Sequence, residues 1–204
     1  MTHPPRHDPP RDHPPAPHTP PAPEAPEVSR ADAIPTDSPA ADPALTHLDD
    51  RGGLRMVDVG DKPATRRTAL AQALVKVSPE LADAIGRDQI AKGNLLETAK
   101  LAGILAAKRT AELIPLCHSL PLDSVELDLQ LQQTTVRIRA TARTTWSTGV
   151  EMEALTAASV AALTVIDMGK AIDPGMVVHD LRLLEKTGGK HGTWRSPDPG
   201  ADPP

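Results

Sequence analysis

The order of hydrophobic patterns along this chain predicts an α+β fold, in which an antiparallel sheet carries helices on one face. Two neighbouring segments alternate apolar and polar residues with the period of a β-strand. Ala- and Leu-rich segments typical of helices lie before and after this pair, and one further strand is predicted at each end. The elements therefore follow the order βαββαβ.

Both ends of the 204-residue chain lack the apolar side chains of a core. Residues 1–44 hold 14 of the 23 prolines, and apolar side chains other than Ala are rare there. Such a segment buries too little surface to offset the entropy of ordering it. We predict a disordered N-terminal tail over residues 1–44, one domain over 45–192, and a disordered Pro- and Asp-rich tail over 193–204.

The first strand is predicted from Thr65 to Val77, where small residues surround two leucines. Ser78-Pro79 combines a preferred N-cap with a proline at the first helical position, which predicts a helix from Glu80 to Arg87. A second helix, rich in Ala, Leu and Lys, is predicted from Leu95 to Leu113.

The two central strands are predicted from Asp123 to Leu131 and from Thr134 to Thr145, joined by the short Gln132-Gln133 link. The polar face is acidic on the first strand and basic on the second. Cross-strand ion pairs should therefore help to set the register. The sheet face without helices has to be covered or remain polar, and we expect a partner subunit to help, so that the protein is oligomeric.

Thr148 and Glu151 have the spacing of a capping box, which predicts a helix that begins at Thr148 and continues to about Ile172. Asp173-Pro174-Gly175 ends it, and Met176 to Lys186 is the last predicted strand. A sheet with this order of elements is the ferredoxin-like pattern.

Composition excludes several classes of function. The net charge of -5 and a pI near 5.9 argue against a nucleic-acid partner. With two Trp, no Phe and no Tyr, the chain also lacks rings on which bases could stack. A single cysteine, no signal-peptide pattern and no run apolar enough for a membrane favour a soluble cytoplasmic protein. No zinc spacing or phosphate-binding glycine loop is present, so no metal ligands are assigned.

Leu116-Cys117-His118 follows a proline at the end of a long helix, which is a suitable place for a functional imidazole. The alternative is that His118 is a loop residue bonded to the backbone and that Cys117 is a small buried hydrophobe. The local pattern does not choose between the two.

Asp167 and Lys170 share a face of the last helix beside apolar residues. They form either an ordinary ion pair or an acid/base pair with perturbed proton affinities. Lys92, ahead of a helix, is either a phosphate contact or part of a polar turn. The Gly-rich basic segment Lys186–Lys190 either closes over an anion or frays.

Glu153 lies in the first turn of the last helix and is not explained by capping, in contrast to Glu151. Fourteen residues separate Glu153 from Asp167, which corresponds to roughly 20 Å along a helix. The two carboxylates cannot touch one reacting atom. They serve opposite ends of a large substrate, or different subunits supply them to one site.

Taken together, these segments resemble the cyclic pyranopterin monophosphate synthase family, also called molybdenum cofactor biosynthesis protein C. The run Thr148–Ser159, TGVEMEALTAAS, is long and distinctive. The resemblance covers essentially the whole predicted domain. The matching stretches are Leu45–His47, Met56–Val59, Lys92–Asn94, Ala106–Thr110, Leu113–His118, Thr148–Ala158, Asp167–Lys170 and Leu183–Lys190.

The resemblance implies a ferredoxin-like core that assembles as a homohexamer, a trimer of dimers, with sites at subunit interfaces. It implies a lyase that converts (8S)-3′,8-cyclo-7,8-dihydroguanosine 5′-triphosphate into cyclic pyranopterin monophosphate and diphosphate, in the biosynthesis of the molybdenum cofactor (molybdopterin). No resident cofactor is implied, and any Mg²⁺ would arrive on the triphosphate.

Residue by residue, the resemblance implies a catalytic role for Asp167, Lys170 and Lys92. It implies that one substrate-binding segment is Leu116, Cys117 and His118. A second comprises Met152 and Glu153, with Lys186 among the phosphate contacts.

The chain departs from the family pattern at two places. Ser119 follows the histidine where proline is common, and Gly169 lies inside a helix, where it could allow a substrate or subunit to approach closely. Two alternatives remain. One is a catalytically silent nucleotide-binding or scaffold subunit, and the retained lysines, aspartate and histidine argue against it. The other is a different pterin enzyme such as a cyclohydrolase, which the lack of a zinc-ligand set disfavours.

Overall fold

The computed structural model describes residues 53–190 and 192–197. The predicted N-terminal tail, the stretch from Leu45 to His47 and most of the predicted C-terminal tail lie outside these residues.

The described residues form five strands and four helices in the predicted βαββαβ order, followed by one additional short strand. The elements are β1 (Thr65–Lys76), α1 (Pro79–Gly86), α2 (Leu95–Ala107), α3 (Thr110–Leu113), β2 (Ser124–Gln132), β3 (Thr135–Trp146), α4 (Glu151–Gly169), β4 (Val177–Thr187) and β5 (Trp194–Arg195).

All pairings in the sheet are antiparallel, and the strand order is β2-β3-β1-β4-β5. This is the α+β, ferredoxin-like arrangement that the sequence predicts. The strand β5 pairs with the end of β4, and the Ser196 amide donates to the Leu184 carbonyl. The folded unit therefore extends beyond the predicted boundary at residue 192. A two-residue strand is too short to show the alternation that marks longer strands.

One face of the sheet forms the core. Every second residue of β1 from Ala69 to Val75 is at most 1% exposed, and the same holds on β3 from Val136 to Ala142. The helix α4 packs on this face with five fully buried alanines, and Gly103 lets α2 approach it, because a Cβ there would lie 2.8 Å from the Ala157 carbonyl oxygen. The core is therefore built from Ala, Val, Leu, Ile and Met side chains.

The expectation that no segment could cross a membrane does not hold for α4. This helix has 19 residues, and the most apolar 18 of them in a row have a mean hydropathy of 1.3; among the described residues it alone is long and apolar enough to cross a membrane. Just over half of those 18 residues are buried inside the protein, where the helix packs between the sheet and α2. These are the features of a core helix.

The charged strands pair as predicted, but diagonally. The Arg143 guanidinium lies 2.6 Å from the Glu126 carboxylate, and that of Arg137 lies 3.8 Å from Asp128. Each pair is offset by two positions from the residues directly opposite, a distance that a long arginine side chain spans.

Three helix ends differ from the predictions, and one of them is the end of α4, which lies at Gly169 and not at about Ile172. The predicted helix Leu95–Leu113 breaks after Ala107, because Arg109 leaves helical geometry and the Thr110 hydroxyl donates to the Ala107 carbonyl oxygen at 3.0 Å. The predicted capping box is wrong. The helix α4 starts at Glu151, with Val150 as N-cap and no side-chain cap.

Candidate active site

The helix α4 carries candidate functional residues at both of its ends. Its N-terminal end borders a cavity of about 470 Å³ that also receives the loop after α3 and the chain ahead of β1. The lining residues are Val57, Val59, Lys62, Leu116, Cys117, His118, Leu120, Thr148, Gly149, Glu151, Met152 and Glu153. The two predicted substrate-binding segments therefore meet at one cavity, although they are more than thirty residues apart in sequence.

Glu153 is the buried carboxyl of this cavity, with 4% of its surface exposed. Burial raises the pKa of Glu153 to about 7, the charge of Glu151 acts in the same direction, and a backbone hydrogen bond opposes both. A carboxyl with this pKa holds its proton in a large share of molecules at neutral pH. It can therefore act as a proton donor.

Cys117 and His118 lie on the same wall. Burial, and to a smaller extent the charge of Glu153, raises the pKa of the Cys117 thiol, so the thiolate needed for nucleophilic attack is disfavoured. The His118 Nε2 atom lies 2.7 Å from the Val57 carbonyl oxygen. Because a carbonyl only accepts, Nε2 carries a proton, and the neutral ring keeps its lone pair on Nδ1. His118 is thus both bonded to the backbone and part of the cavity wall.

A smaller basic pocket of about 110 Å³ adjoins the cavity and shares Gly149 and Glu151 with it. Its cationic lining residues are Arg67, Lys186 and Lys190. The Lys186 ammonium lies 3.0 Å from the Glu151 carboxylate. This contact explains why the capping prediction was wrong. The Glu151 side chain reaches Lys186 on β4, and α4 begins without a side-chain cap.

The glycines beside this pocket make room for its charged groups. A Cβ at Gly189, which has a φ of +75°, would overlap the Arg67 guanidinium. At Gly149 a Cβ would overlap the Glu151 carboxylate. The Gly-rich basic segment after β4 therefore packs closely against Arg67 at the sheet end.

The sequence analysis missed two charged residues, Arg67 of the basic pocket and Lys62 of the cavity. Arg67 was read as part of a strand of small residues, although the charged pair Arg66-Arg67 interrupts that pattern. Lys62 lies in a turn without periodicity, and no sequence signal distinguishes it from other surface lysines.

The other end of α4 carries a second charged group. Asp167 accepts from the Lys170 ammonium at 2.8 Å and from the Lys92 ammonium at 2.9 Å, and Lys92 also donates to the Asp167 carbonyl oxygen at 2.9 Å. The hydrogen bonds from Lys170 and then Lys92 lower the pKa of Asp167 to about 2. The three predicted catalytic residues are therefore in contact, although more than half of the Asp167 side chain remains exposed.

The two groups do not meet within one chain. Fourteen helical residues separate Glu153 from Asp167, a rise of about 21 Å. Leu116, Cys117, His118, Met152 and Glu153 belong to the cavity, and Lys186 belongs to the adjoining pocket. The group formed by Asp167, Lys170 and Lys92 lies at the opposite end of the helix.

Within residues 53–190 and 192–197, no three His, Cys, Asp or Glu side chains lie close enough together to hold an ion.

Gly169 has an explanation within the chain. A Cβ at this position would lie 2.7 Å from Cδ2 of Leu81 and 3.2 Å from Cε of Met176. Leu81 is fully buried, so the helix α1 uses the space that the missing side chain leaves. Nothing in the structure explains Ser119.

The chain is similar in sequence to known proteins of one family. A sequence model described as the MoaC family matches residues 56–189. A Thermomicrobium roseum protein named cyclic pyranopterin monophosphate synthase is 55% identical over 156 residues, which cover 76% of this chain and 94% of that protein. A Streptomyces avermitilis protein of the same name is also 55% identical, over 78% of this chain and 94% of its own length. Cyclic pyranopterin monophosphate synthase 2 of Mycobacterium tuberculosis is 51% identical, over 74% of this chain and 90% of its own length. The chain belongs to the MoaC family.

Proposed function

We propose that this chain is a cyclic pyranopterin monophosphate synthase, a lyase of molybdenum cofactor biosynthesis. Its substrate is (8S)-3′,8-cyclo-7,8-dihydroguanosine 5′-triphosphate, and its products are cyclic pyranopterin monophosphate and diphosphate. One observation carries the proposal. The cavity contains Glu153, a carboxyl group that can hold a proton near neutral pH, and it lies directly beside a pocket lined by Arg67, Lys186 and Lys190.

The cavity suits the purine-derived rings of this substrate. Val57, Leu116 and Met152 supply apolar surface, while His118 and Glu153 supply polar groups that can orient the rings. Rearranging a purine into a pterin opens and closes rings, and each step moves protons. Glu153 is the group whose burial prepares it to donate one.

The basic pocket suits the phosphates. In the reaction, a hydroxyl group gives up its proton to a basic group or to water and its oxygen bonds to the α-phosphorus. The bond from that phosphorus to the bridging oxygen breaks, and diphosphate leaves. Negative charge accumulates on the leaving group, and nearby cations stabilise it. Lys186, Arg67 and Lys190 line the pocket where this charge would lie. Lys186 would exchange its contact with Glu151 for a phosphate oxygen.

Asp167, Lys170 and Lys92 supply the remaining charged groups. We assign Asp167 as an acid/base residue. Its low pKa keeps the carboxylate ionised before the reaction, so that it is in the form that accepts a proton. The two lysines hold that carboxylate in place and provide positive charge of their own.

A complete site then requires two copies of the chain. Because the cavity and the Asp167 group lie about 21 Å apart on one helix, the α4 C-terminal end of one copy would face the cavity of another. We propose a homohexamer, a trimer of dimers, with the sites at subunit interfaces. Exposed leucines on the outer faces of α2 and α4, Leu101, Leu105 and Leu163, offer apolar surface for such contacts.

The proposal includes no resident cofactor. Mg²⁺ would enter bound to the triphosphate of the substrate. We place the protein in the cytoplasm, acting on a small nucleotide, with neither nucleic acid nor membrane as a partner.

The test is incubation of the full-length protein with the cyclic dihydroguanosine triphosphate. We expect stoichiometric release of diphosphate and formation of a pterin, which is read by fluorescence after oxidation. A folded protein that binds the nucleotide but releases no diphosphate would contradict the lyase assignment. That result would instead support the catalytically silent subunit.

A further inference from the structure

The chain ahead of β1 forms one wall of the cavity. Residues Val57–Lys62, here called the strap, have no helical or strand structure, and Val57, Val59 and Lys62 line the cavity. The strap therefore connects the start of the sheet with the mouth of the proposed site.

Backbone contacts hold the strap in place. The Val57 carbonyl oxygen accepts from His118 Nε2 at 2.7 Å, which attaches the strap to the cavity wall. Asp58 Oδ1 accepts from the Gly60 amide at 2.8 Å, and the Lys62 amide donates to the Val59 carbonyl oxygen at 3.1 Å. A side-chain oxygen that accepts from an amide two residues later stabilises a turn. This turn brings Lys62 back to the cavity mouth.

Among the described residues that line the cavity, Lys62 is the one lysine or arginine, and it is accompanied by two glutamates. Within the described residues, Lys62 makes no ion pair, whereas Lys186 pairs with Glu151, and Lys92 and Lys170 pair with Asp167. Its side chain is exposed at the mouth. An ammonium in this position can reach an anionic ligand without first giving up a carboxylate partner.

We propose that Lys62 is a further substrate-binding residue, carried to the cavity mouth by a strap that Asp58 shapes and His118 anchors. The inference rests on the proposed function for the identity of the nucleotide. Lys62 contacts an anionic oxygen of the bound nucleotide, and Asp58 is a positioning residue that acts through the turn. The alternative is that Lys62 is an ordinary solvated lysine in a surface turn.

The first experiment compares Lys62→Gln with Lys76→Gln in the full-length protein. Lys76 is an exposed lysine at the end of β1 that lines none of the cavities described above. We expect Lys62→Gln to raise KM for diphosphate release about tenfold with little change in kcat, as the loss of one exposed charge-assisted contact predicts. Lys62→Arg should retain most of the affinity, and Lys76→Gln should match the wild type. A KM for Lys62→Gln within twofold of wild type, or an equal effect of Lys76→Gln, would overturn the proposal.

The second experiment separates the turn from the charge. Asp58→Asn keeps an oxygen that can accept from the Gly60 amide, whereas Asp58→Ala removes it. We expect Asp58→Ala to raise KM by about fivefold with an unchanged melting temperature, and Asp58→Asn to stay within twofold of wild type. Equal losses in both variants would overturn the positioning role of Asp58.

Calorimetric titration of the full-length protein with guanosine triphosphate distinguishes this inference from the proposed function. It measures binding of the parent nucleotide without requiring turnover. We expect Lys62→Gln to weaken that binding about tenfold even if the wild-type protein releases no diphosphate, an outcome that would reject the lyase but support the role of Lys62. Normal turnover of the wild type with unchanged nucleotide affinity in Lys62→Gln would reject the inference about Lys62 and leave the lyase intact.

Discussion

The two ends of α4 place carboxyl groups of similar intrinsic acidity in opposite environments. Glu153 is 4% exposed beside another glutamate, and its pKa rises to about 7. The side chain of Asp167 is 58% exposed between two lysines, and its pKa falls to about 2. Burial dominates at one end, and hydrogen bonds from ammonium groups dominate at the other.

This difference separates two chemical roles. At neutral pH the Glu153 end can carry a proton while the Asp167 end stays ionised. Pairs of carboxyl groups whose environments push their pKa values apart are common where one group donates and the other accepts. We therefore propose that Glu153 donates a proton and that Asp167, which is ionised at neutral pH, accepts one.

The largest expected effect is that of Asp167→Asn. The change removes the charge that holds both lysines, and we expect turnover to fall by about 10³-fold, within the range for an acid/base residue. The measurement is diphosphate release at saturating substrate. Asp83→Asn is the matched control, because Asp83 forms an exposed ion pair with Arg87 at 2.7 Å on a surface helix and such pairs contribute little. Near-normal turnover of Asp167→Asn would remove this residue from the mechanism.

Glu153→Gln should lower turnover by about 10²-fold, since the amide cannot release a proton. The wild-type rate should also depend on a group that titrates near pH 7, and this dependence should vanish in the variant. A pH–rate profile of the two proteins checks both points. An identical profile in the variant would assign the titration to another group.

The same substitution should make the protein more stable at high pH. Because the pKa of Glu153 is about 7 in the folded state against 4.5 for an ordinary glutamate, the unfolded chain loses its proton first as pH rises. The free energy of unfolding therefore falls between about pH 4.5 and 7, by about 3 kcal/mol, and stays low above that range. Glu153→Gln has no carboxyl group to ionise and avoids this loss of stability. Its free energy of unfolding should therefore exceed that of the wild type at pH 8, and the difference should disappear near pH 4. Urea unfolding at fixed protein concentration measures it, and an advantage independent of pH would contradict the burial argument.

The smallest expected effect is that of Gly169→Ala. The new Cβ would press on Leu81 in the core, and we expect a net loss of about 1 kcal/mol in the free energy of unfolding even though alanine favours helices. Gly86→Ala is the matched control, because a Cβ at the end of α1 would meet nothing within 4 Å. If Gly169→Ala proved more stable than wild type, Leu81 would have to be free to move.

Local patterns account for most of the fold. Ser78 caps α1 as predicted, with its hydroxyl oxygen accepting from the Leu81 amide at 3.2 Å, and the alternating strands pair as predicted. The start of α4 was misplaced because Glu151 turns toward Lys186, which is 35 residues further along the chain. No local pattern records such a contact.

The candidate site was predictable only in part, for the same reason. The site residues implied by the family resemblance fall into two groups, one at each end of α4. Arg67 and the strap were missed because they join the site through tertiary contacts. Arg67 adjoins the segment after β4, and the strap reaches His118 across 61 positions of sequence.

The central claim is that one active site takes its two ends from different subunits. The direct test is to refold Glu153→Gln and Asp167→Asn together in equal amounts and to measure diphosphate release. Random assembly would give about one quarter of the sites an intact cavity from one copy and an intact Asp167 group from another. We therefore predict that the mixture recovers activity to about a quarter of wild type, although each variant alone is nearly inactive. Mixed oligomers that form but show no more activity than the two separate variants would contradict the claim.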